Sequence, residues 1–477
     1  MSHYTSLKNS GFLSGTVSRR TFLKASTIGM GALAGTGLRS PACGNEASRG
    51  QARAKSTIVF FLCGGSSHID MWDLKPNAPK EYRGEFNPVA TSAPGVMLTE
   101  HLPMTAKLAH HLAVVNSVDA TVNTNDHLAG YYYNLTGHVP DPTFLSQGNS
   151  RTPSPDDWPY MGSVVSYKGK KHAHLPSAIT LPHKPDDNPR AGQFAARLGV
   201  EHEPLYLLGN HENPLDIKAP SLMLDGDVTA DRVSSRYELL NSIDSARRNF
   251  DQFAAPSLWS KQQERAFSLL LSSKTTDAFD VSKEPQEVRD RYGKTINAMS
   301  LLMARRLVEV GVPFITVFWK RNPKVKNTCE YFGGWDTHGD NFNCLKNYLL
   351  PEFDQAYSAL IEDLAQRNML DETLVLINSE MGRTPKIGDK RSGGGRSGPR
   401  PLDPLSLECL RGRWNPGGQV YGSSDKLGEH PADKPVTPAH IVKTVFESMG
   451  IYDLEYIDRQ NRPMSLLAEG QPIMDLF

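Results

Sequence analysis

The sequence predicts an α/β fold: a mainly parallel central sheet covered by helices on both faces, with one helical insertion. Three observations predict it. Short apolar runs rich in β-branched residues are each bounded by turn residues, segments of helical period lie between them, and polar motifs begin where several of the runs end.

The runs are 57–62 (Thr-Ile-Val-Phe-Phe-Leu), 112–115 (Leu-Ala-Val-Val), 178–181 (Ala-Ile-Thr-Leu), 313–318 (Pro-Phe-Ile-Thr-Val-Phe) and 373–377 (Thr-Leu-Val-Leu-Ile). They do not alternate apolar with polar, which predicts strands buried on both faces, as in a parallel sheet. Ala298, Leu301, Leu302, Arg305 and Val308 recur at helical spacing, and so do Leu345, Leu349, Phe353, Leu360 and Leu364. The 33 Pro and 39 Gly concentrate in segments such as 181–189 and 393–404, which predicts long irregular loops over a regular scaffold. The polar helical content from about 201 to 285 reads as the insertion, a lid or a partner surface. No low-complexity linker divides 51–477, so that stretch reads as one elaborated domain behind a leader and linker at 1–50.

The leader carries Ser18-Arg19-Arg20-Thr21-Phe22-Leu23-Lys24, then a mildly apolar stretch rich in Gly and Ala at 25–38. That pattern is a twin-arginine export signal. Its apolar part falls short of the roughly 20 residues a spanning helix needs, so no permanent membrane span is expected. The expectation is a periplasmic or extracellular protein, partnered by the twin-arginine translocase during export. That route carries folded cargo and suits a protein that must first take up a cofactor. Cys43 follows Ser40-Pro41-Ala42, with Ser where a lipoprotein signal prefers Leu, so a lipid anchor is the lesser reading. Cys63, Cys329, Cys344 and Cys409 show no metal-type spacing. An oxidising destination permits a Cys329–Cys344 bridge, but the reading adopted is two buried thiols. With 52 Lys and Arg against 52 Asp and Glu, and no Lys/Arg run beyond the leader long enough to make a phosphate-tracking patch, nucleic acid is not expected as a partner.

The chemistry concentrates at strand exits, where open parallel sheets bind ligands. Gly333-Gly334-Trp335-Asp336-Thr337-His338-Gly339-Asp340 is answered by Ser379-Glu380-Met381-Gly382-Arg383-Thr384-Pro385 directly after the run at 373–377. Asp336, His338 and Glu380 are oxygen and nitrogen donors suited to a divalent cation, whether zinc, calcium or magnesium. After the first run, Cys63-Gly64-Gly65-Ser66-Ser67-His68-Ile69-Asp70-Met71-Trp72-Asp73 supplies Asp70 or Asp73 as a further ligand; a solvated Asx-type turn is the plain alternative. Arg383 or Lys386 is placed to hold an anionic oxygen of a substrate, unless both are simply solvated.

A second stretch runs from His101-Leu102-Pro103-Met104 through the run at 112–115 to Asn123-Thr124-Asn125-Asp126-His127 and Leu135-Thr136-Gly137-His138. It resembles the sulfatase branch of the alkaline-phosphatase-like superfamily, in which Leu-Thr-Gly and a basic residue follow the nucleophile at a fixed distance. The resemblance implies an alkaline-phosphatase-like fold and a metal-dependent hydrolase of sulfate or phosphate esters. It puts the nucleophile's place on His127, where sulfatases have a modified Cys or Ser and phosphatases Ser or Thr. His127 then reads as a metal ligand, a nucleophile or a general base, or as a plain structural histidine; Asp126 beside it is a further catalytic candidate. The Asp336 loop resembles the superfamily's Asp and His ligand segment. Glu380 and Met381 stand where relatives carry Asp and His. Closest of all is the resemblance to an exported bacterial family, domain of unknown function fifteen-hundred-and-one. It rests on Gly64-Gly65-x-Ser67-His68-x-Asp70, Asp157-Trp158-Pro159-x-Met161-Gly162-Ser163, Gly334-Trp335-Asp336-x-His338, Glu380-x-Gly382-Arg383-Thr384-Pro385 and Gln471-Pro472-Ile473.

That family carries Gly-Arg-Asp-His-Trp and an apolar strand soon after its Arg-Thr-Pro-Lys, whereas 398–414 here reads Gly-Pro-Arg-Pro-Leu-Asp-Pro-Leu-Ser-Leu-Glu-Cys-Leu-Arg-Gly-Arg-Trp. Pro399, Pro401 and Pro404 rule out an interior strand across 399–404. Codons exist for 398–407 whose reading one base forward is Gly-Arg-Asp-His-Trp-Thr-His-Cys-Leu, continuing to 414 as Ser-Val-Phe-Ala-Gly-Gly. The expectation is a pair of compensating frame changes, in the gene or its sequencing, that removed a ligand-bearing segment. One metal position could then still form and a second could not. The alternative to an enzyme is an exported, non-catalytic binder of an anionic small molecule or a sulfated glycan.

Overall fold

The structure is a computed structural model and describes residues 53–120, 127–171, 175–183, 190–218, 277–325, 329, 334–337, 340–388 and 417–477. The leader, Asp126, His338, most of the insertion and the segment 399–414 lie outside the described residues.

Each of the five runs is a strand: β1 (Ser56–Phe61), β2 (Ala113–Val115), β3 (Ala178–Leu181), β5 (Phe314–Phe318) and β6 (Thr373–Asn378), with a two-residue β4 (Leu205–Tyr206) and a late β7 (Gln419–Tyr421) unforeseen. The main sheet is parallel throughout, in the order β4-β3-β5-β1-β6. Ile58, Phe60, Ile315, Val317, Val375 and Ile377 enter one core, and Val59, Phe61, Phe314, Phe318, Leu374 and Leu376 enter the other. With a core on each face, no strand can alternate apolar with polar.

One strand departs from expectation. Among the described residues, β2 is not hydrogen-bonded into the main sheet and pairs in parallel with β7, Val114 opposite Val420. Yet Val114 joins the first core while Ala113 and Val115 join the second. β2 therefore divides the same two cores as β1 and β6. Among the described residues, no strand pairs with the edge of β6 away from β1.

The helices cover both faces. Those that bear on the site and its surroundings are α1 (His68–Met71), α2 (His127–Thr136), α3 (Met161–Lys168), α4 (Ile296–Glu309), α5 (Asn341–Cys344), α6 (Leu350–Gln366) and α7 (Pro438–Ser448). In α4, Thr295 caps the N-terminus by accepting from the Ala298 N–H at 3.1 Å. Arg305, at an apolar spacing in that helix, is buried with ion pairs to Glu284 at 2.8 Å, Glu309 at 2.7 Å and Asp363 at 2.9 Å. The helix expected over 345–364 begins as a π-turn at Leu345–Leu349 and becomes α-helical at Leu350. Pro351 has no N–H to give the carbonyl four residues back, and a wider turn accommodates that loss.

Candidate active site

The site is assembled at the exits of β1 and β6. Gly64 and Gly65 both take positive φ, 117° and 84°, a region open to glycine. The turn they make directs the Gly64 N–H onto Glu380 Oε1 at 2.6 Å. Ser379 ties the two exits together, accepting from the Ser66 N–H at 3.0 Å and donating to the Leu62 carbonyl at 2.7 Å. A Cβ on Gly65 would come within 2.9 Å of the Met381 side chain, so the exits pack too closely for a larger residue.

Helix α2 brings His127 onto this pair. A Cβ at Gly130 would overlap the Glu380 carbonyl oxygen, so glycine is what lets the helix approach. Asn134, one turn on, donates to that carbonyl at 3.2 Å. His127 Nδ1 then lies 2.8 Å from Glu380 Oε1 and Nε2 lies 3.6 Å from Asp336 Oδ2. Burial works against charging this imidazole, but the close approach of Asp336, the hydrogen bond to Glu380 and their negative charges outweigh it and raise its pKa to about 9. At neutral pH His127 is an imidazolium with an N–H toward each carboxylate. Its side chain keeps 18 % exposure, against 0 % for Glu380 and 4 % for Asp336, so His127 is the member solvent reaches.

Arg383 is buried beneath them. Nε donates to the Gly65 carbonyl at 2.7 Å, and Nη2 donates to the carbonyls of Gly64, at 3.2 Å, and Trp335 and pairs with Asp336 Oδ1 at 3.3 Å. Burial pulls its pKa down while Asp336 and Glu380 pull the other way. The guanidinium joins the β1 exit to the Asp336 segment. Lys386 is exposed.

Asp70 reaches the same segment through an amide. Its Oδ2 accepts from Ser67 Oγ at 2.6 Å and from Asn341 Nδ2 at 3.0 Å, and Asn341 Oδ1 accepts from Thr337 Oγ1 at 2.6 Å. Asn341 thus links Asp70 to the residue after Asp336. Nothing in its sequence neighbourhood marks it. Asp73 is engaged elsewhere, by Lys75 at 2.8 Å, Asn116 and Ser424. His68 donates Nε2–H to the Gly428 carbonyl at 3.1 Å, and burial lowers its pKa, so it is neutral. The expected pair of buried thiols is corrected: Cys329 and Cys344 form a disulfide, their Cα atoms 4.9 Å apart.

Among the described residues, no three His, Cys, Asp or Glu side chains stand as a ready-made metal cage. The donor chemistry nonetheless fits a divalent cation. Asp70, Asp336 and Glu380, each at most 3 % exposed, bring three negative charges, against Arg383 and the protonated His127. Counted with both cations, the cluster is left one negative charge in excess, which would draw a divalent ion to its oxygens.

A family model described as "Protein of unknown function (DUF1501)" matches residues 54–477. No curated protein matches the chain. Among solved structures, Ps i-CgsB in complex with k-i-k-neocarrahexaose is 12 % identical with a TM-score of 0.38, covering 89 % of this chain and 76 % of that one. The PsFucS1 sulfatase from Pseudoalteromonas sp. is 13 % identical with a TM-score of 0.37, over 86 % and 70 %. The phosphonate monoester hydrolase SpPMH from Silicibacter pomeroyi is 12 % identical with a TM-score of 0.39, over 88 % and 76 %. Superpositions this loose carry no residue roles across.

Proposed function

The chain belongs to the DUF1501 family, and we propose that its site hydrolyses sulfate or phosphate esters in an exported protein, with a divalent cation as cofactor. The observation that carries the reading is His127 held between two buried carboxylates at the strand exits. Ester hydrolysis adds water to sulfur or phosphorus, breaks the bond to the ester oxygen and leaves that oxygen in need of a proton. His127 holds a proton at neutral pH at the most exposed point of the cluster, and we assign it that transfer. Glu380 and Asp336 keep the ring oriented and stabilise its charge. Asp70, Asp336 and Glu380, joined by His338 from outside the described residues, are the proposed ligands. When bound, the cation would supply charge stabilisation for the ester's anionic oxygens. Arg383 is a positioning residue, and Asp126 remains a catalytic candidate outside the described residues.

The test is hydrolysis of p-nitrophenyl sulfate and p-nitrophenyl phosphate by the purified full chain, with and without a chelator. Activity should require the cation, and His127→Ala and Glu380→Ala should each lower kcat by about 10²-fold or more while the far-UV spectrum is unchanged. Binding of a sulfated glycan that survives the chelator, with neither ester turned over, would instead favour a non-catalytic binder. We further propose that the frame change across 398–414 has weakened this copy of the site, leaving it at most one cation.

A further inference from the structure

We infer that the Cys329–Cys344 disulfide is a positioning element of the site, holding the Asp336 segment against the β1 exit, so that the site is fully formed only while the bridge is oxidised. This deepens the proposed function and rests on it only for the ion-binding arm of the test. The bridge spans a sequence separation of 15, and Asp336 and Thr337 fall between its ends. Cys344 is the last residue of α5, and Asn341, the first, is the side chain that joins Asp70 to Thr337. Residues three apart on a helix share a face, so fixing Cys344 fixes where Asn341 presents its amide.

Residues 334–337 belong to no helix or strand. The Trp335 N–H donates to the Cys63 carbonyl at 2.8 Å, Arg383 holds the Trp335 carbonyl and Asp336, and the Gly334 backbone lies against the Trp319 ring. The bridge closes this segment covalently, which removes most of the conformations an open segment would sample. Both cysteines are buried, so the bridge is shielded from solvent. Reduction by a dithiol such as dithiothreitol delivers two electrons and two protons, giving two thiols and the cyclic disulfide of the reagent.

The test compares the full chain oxidised, reduced with dithiothreitol, and as Cys329→Ser/Cys344→Ser, by amide hydrogen exchange and by titration with zinc, calcium or magnesium alone. Without the bridge, the amides of Trp335, Thr337 and Cys344 should exchange at least about tenfold faster while those of β1 and β6 keep their protection. The dissociation constant of whichever ion binds the oxidised protein should rise at least about tenfold, and reoxidation of the reduced chain should restore both. Three results overturn the inference: peptide mapping that finds Cys329 and Cys344 as free thiols in the oxidised protein, loop exchange or ion affinity indifferent to the bridge, or protection lost equally across β1 and β6. If the oxidised chain binds no ion yet the loop amides follow the bridge, the positioning role stands and the metal-hydrolase reading falls.

Discussion

His138 separates what a residue's type suggests from what its surroundings make of it. In sequence it is the basic residue after Leu135-Thr136-Gly137. In the structure its ring stacks on Trp158 with centroids 4.0 Å apart and Nε2–H donates to the Leu466 carbonyl at 2.7 Å. Burial, with Arg197 adding to it and the Leu466 bond opposing, lowers its pKa to about 4. The unfolded chain takes up this proton near pH 6.5 and the folded one only near 4, so the unfolded state binds more protons between those values. Stability from His138 is therefore complete above pH 6.5 and declines as the pH falls toward 4, by up to about 3 kcal/mol. Urea melts at pH 7 and pH 4.5 should show that decline in the native chain, and a visibly smaller one in His138→Gln. Equal slopes in the two proteins would exclude His138 as the cause. Glu380 was legible because a carboxylate just past a strand is placed where ligands bind, and Asp336 because it sits in a Gly-flanked run of Asp and His; His127 was legible only by counting back from Leu-Thr-Gly. Asn341 was not legible, because an amide that bridges Asp70 and Thr337 is defined by two partners distant in sequence or in a loop.

At the scale of elements, all five runs became strands because each is buried on both faces, and that burial is written in the composition of the run itself. The pairing of β2 was hidden, since its partner β7 lies about 300 residues further on and is only half-buried. β4 was too short to produce a pattern. β6 is buried along its whole length, and edge strands of that kind are unusual without a cover. β2 lies between the same two cores and, among the described residues, is separate from β6 in hydrogen bonding. The Ser-Val-Phe-Ala-Gly-Gly reading that the proposed frame change would restore has the length and apolar content of a strand, and β6 and β2 are the two edges such a strand could pair with. Resequencing the locus should give codons across 398–414 whose reading one base forward contains Gly-Arg-Asp-His-Trp. The chain rebuilt in that frame should melt at higher temperature, because each buried backbone group left unpaired costs about 1–3 kcal/mol. Codons that read otherwise would end the proposal.

For the whole molecule, charge and hydropathy decide neither the destination nor the chemistry. Positive and negative side chains balance at 52 each, and no helix among the described residues is long and apolar enough to cross a membrane. Nothing in that balance retains or excludes the protein from any compartment, so the expectation of export rests on Arg19 and Arg20 and the apolar stretch behind them. The disulfide adds a physical reason for the destination to matter. Thiols are kept reduced in the cytosol and oxidise beyond it, so a Cys329–Cys344 bridge is favoured after export rather than before. A folded chain crossing the membrane would then arrive with its scaffold complete and the Asp336 segment still unlocked, so the cation would be taken up after export and not before it. Replacing Arg19 and Arg20 with Lys keeps the charge and changes only the paired guanidinium groups. That double variant should accumulate in the cytosolic fraction with residues 329 and 344 alkylatable, whereas the native chain should be recovered outside the cytosol with the two cysteines protected. Export of the variant at the native level would remove the twin-arginine route, and a bridge already present in the cytosolic pool would remove the idea that crossing the membrane closes the site.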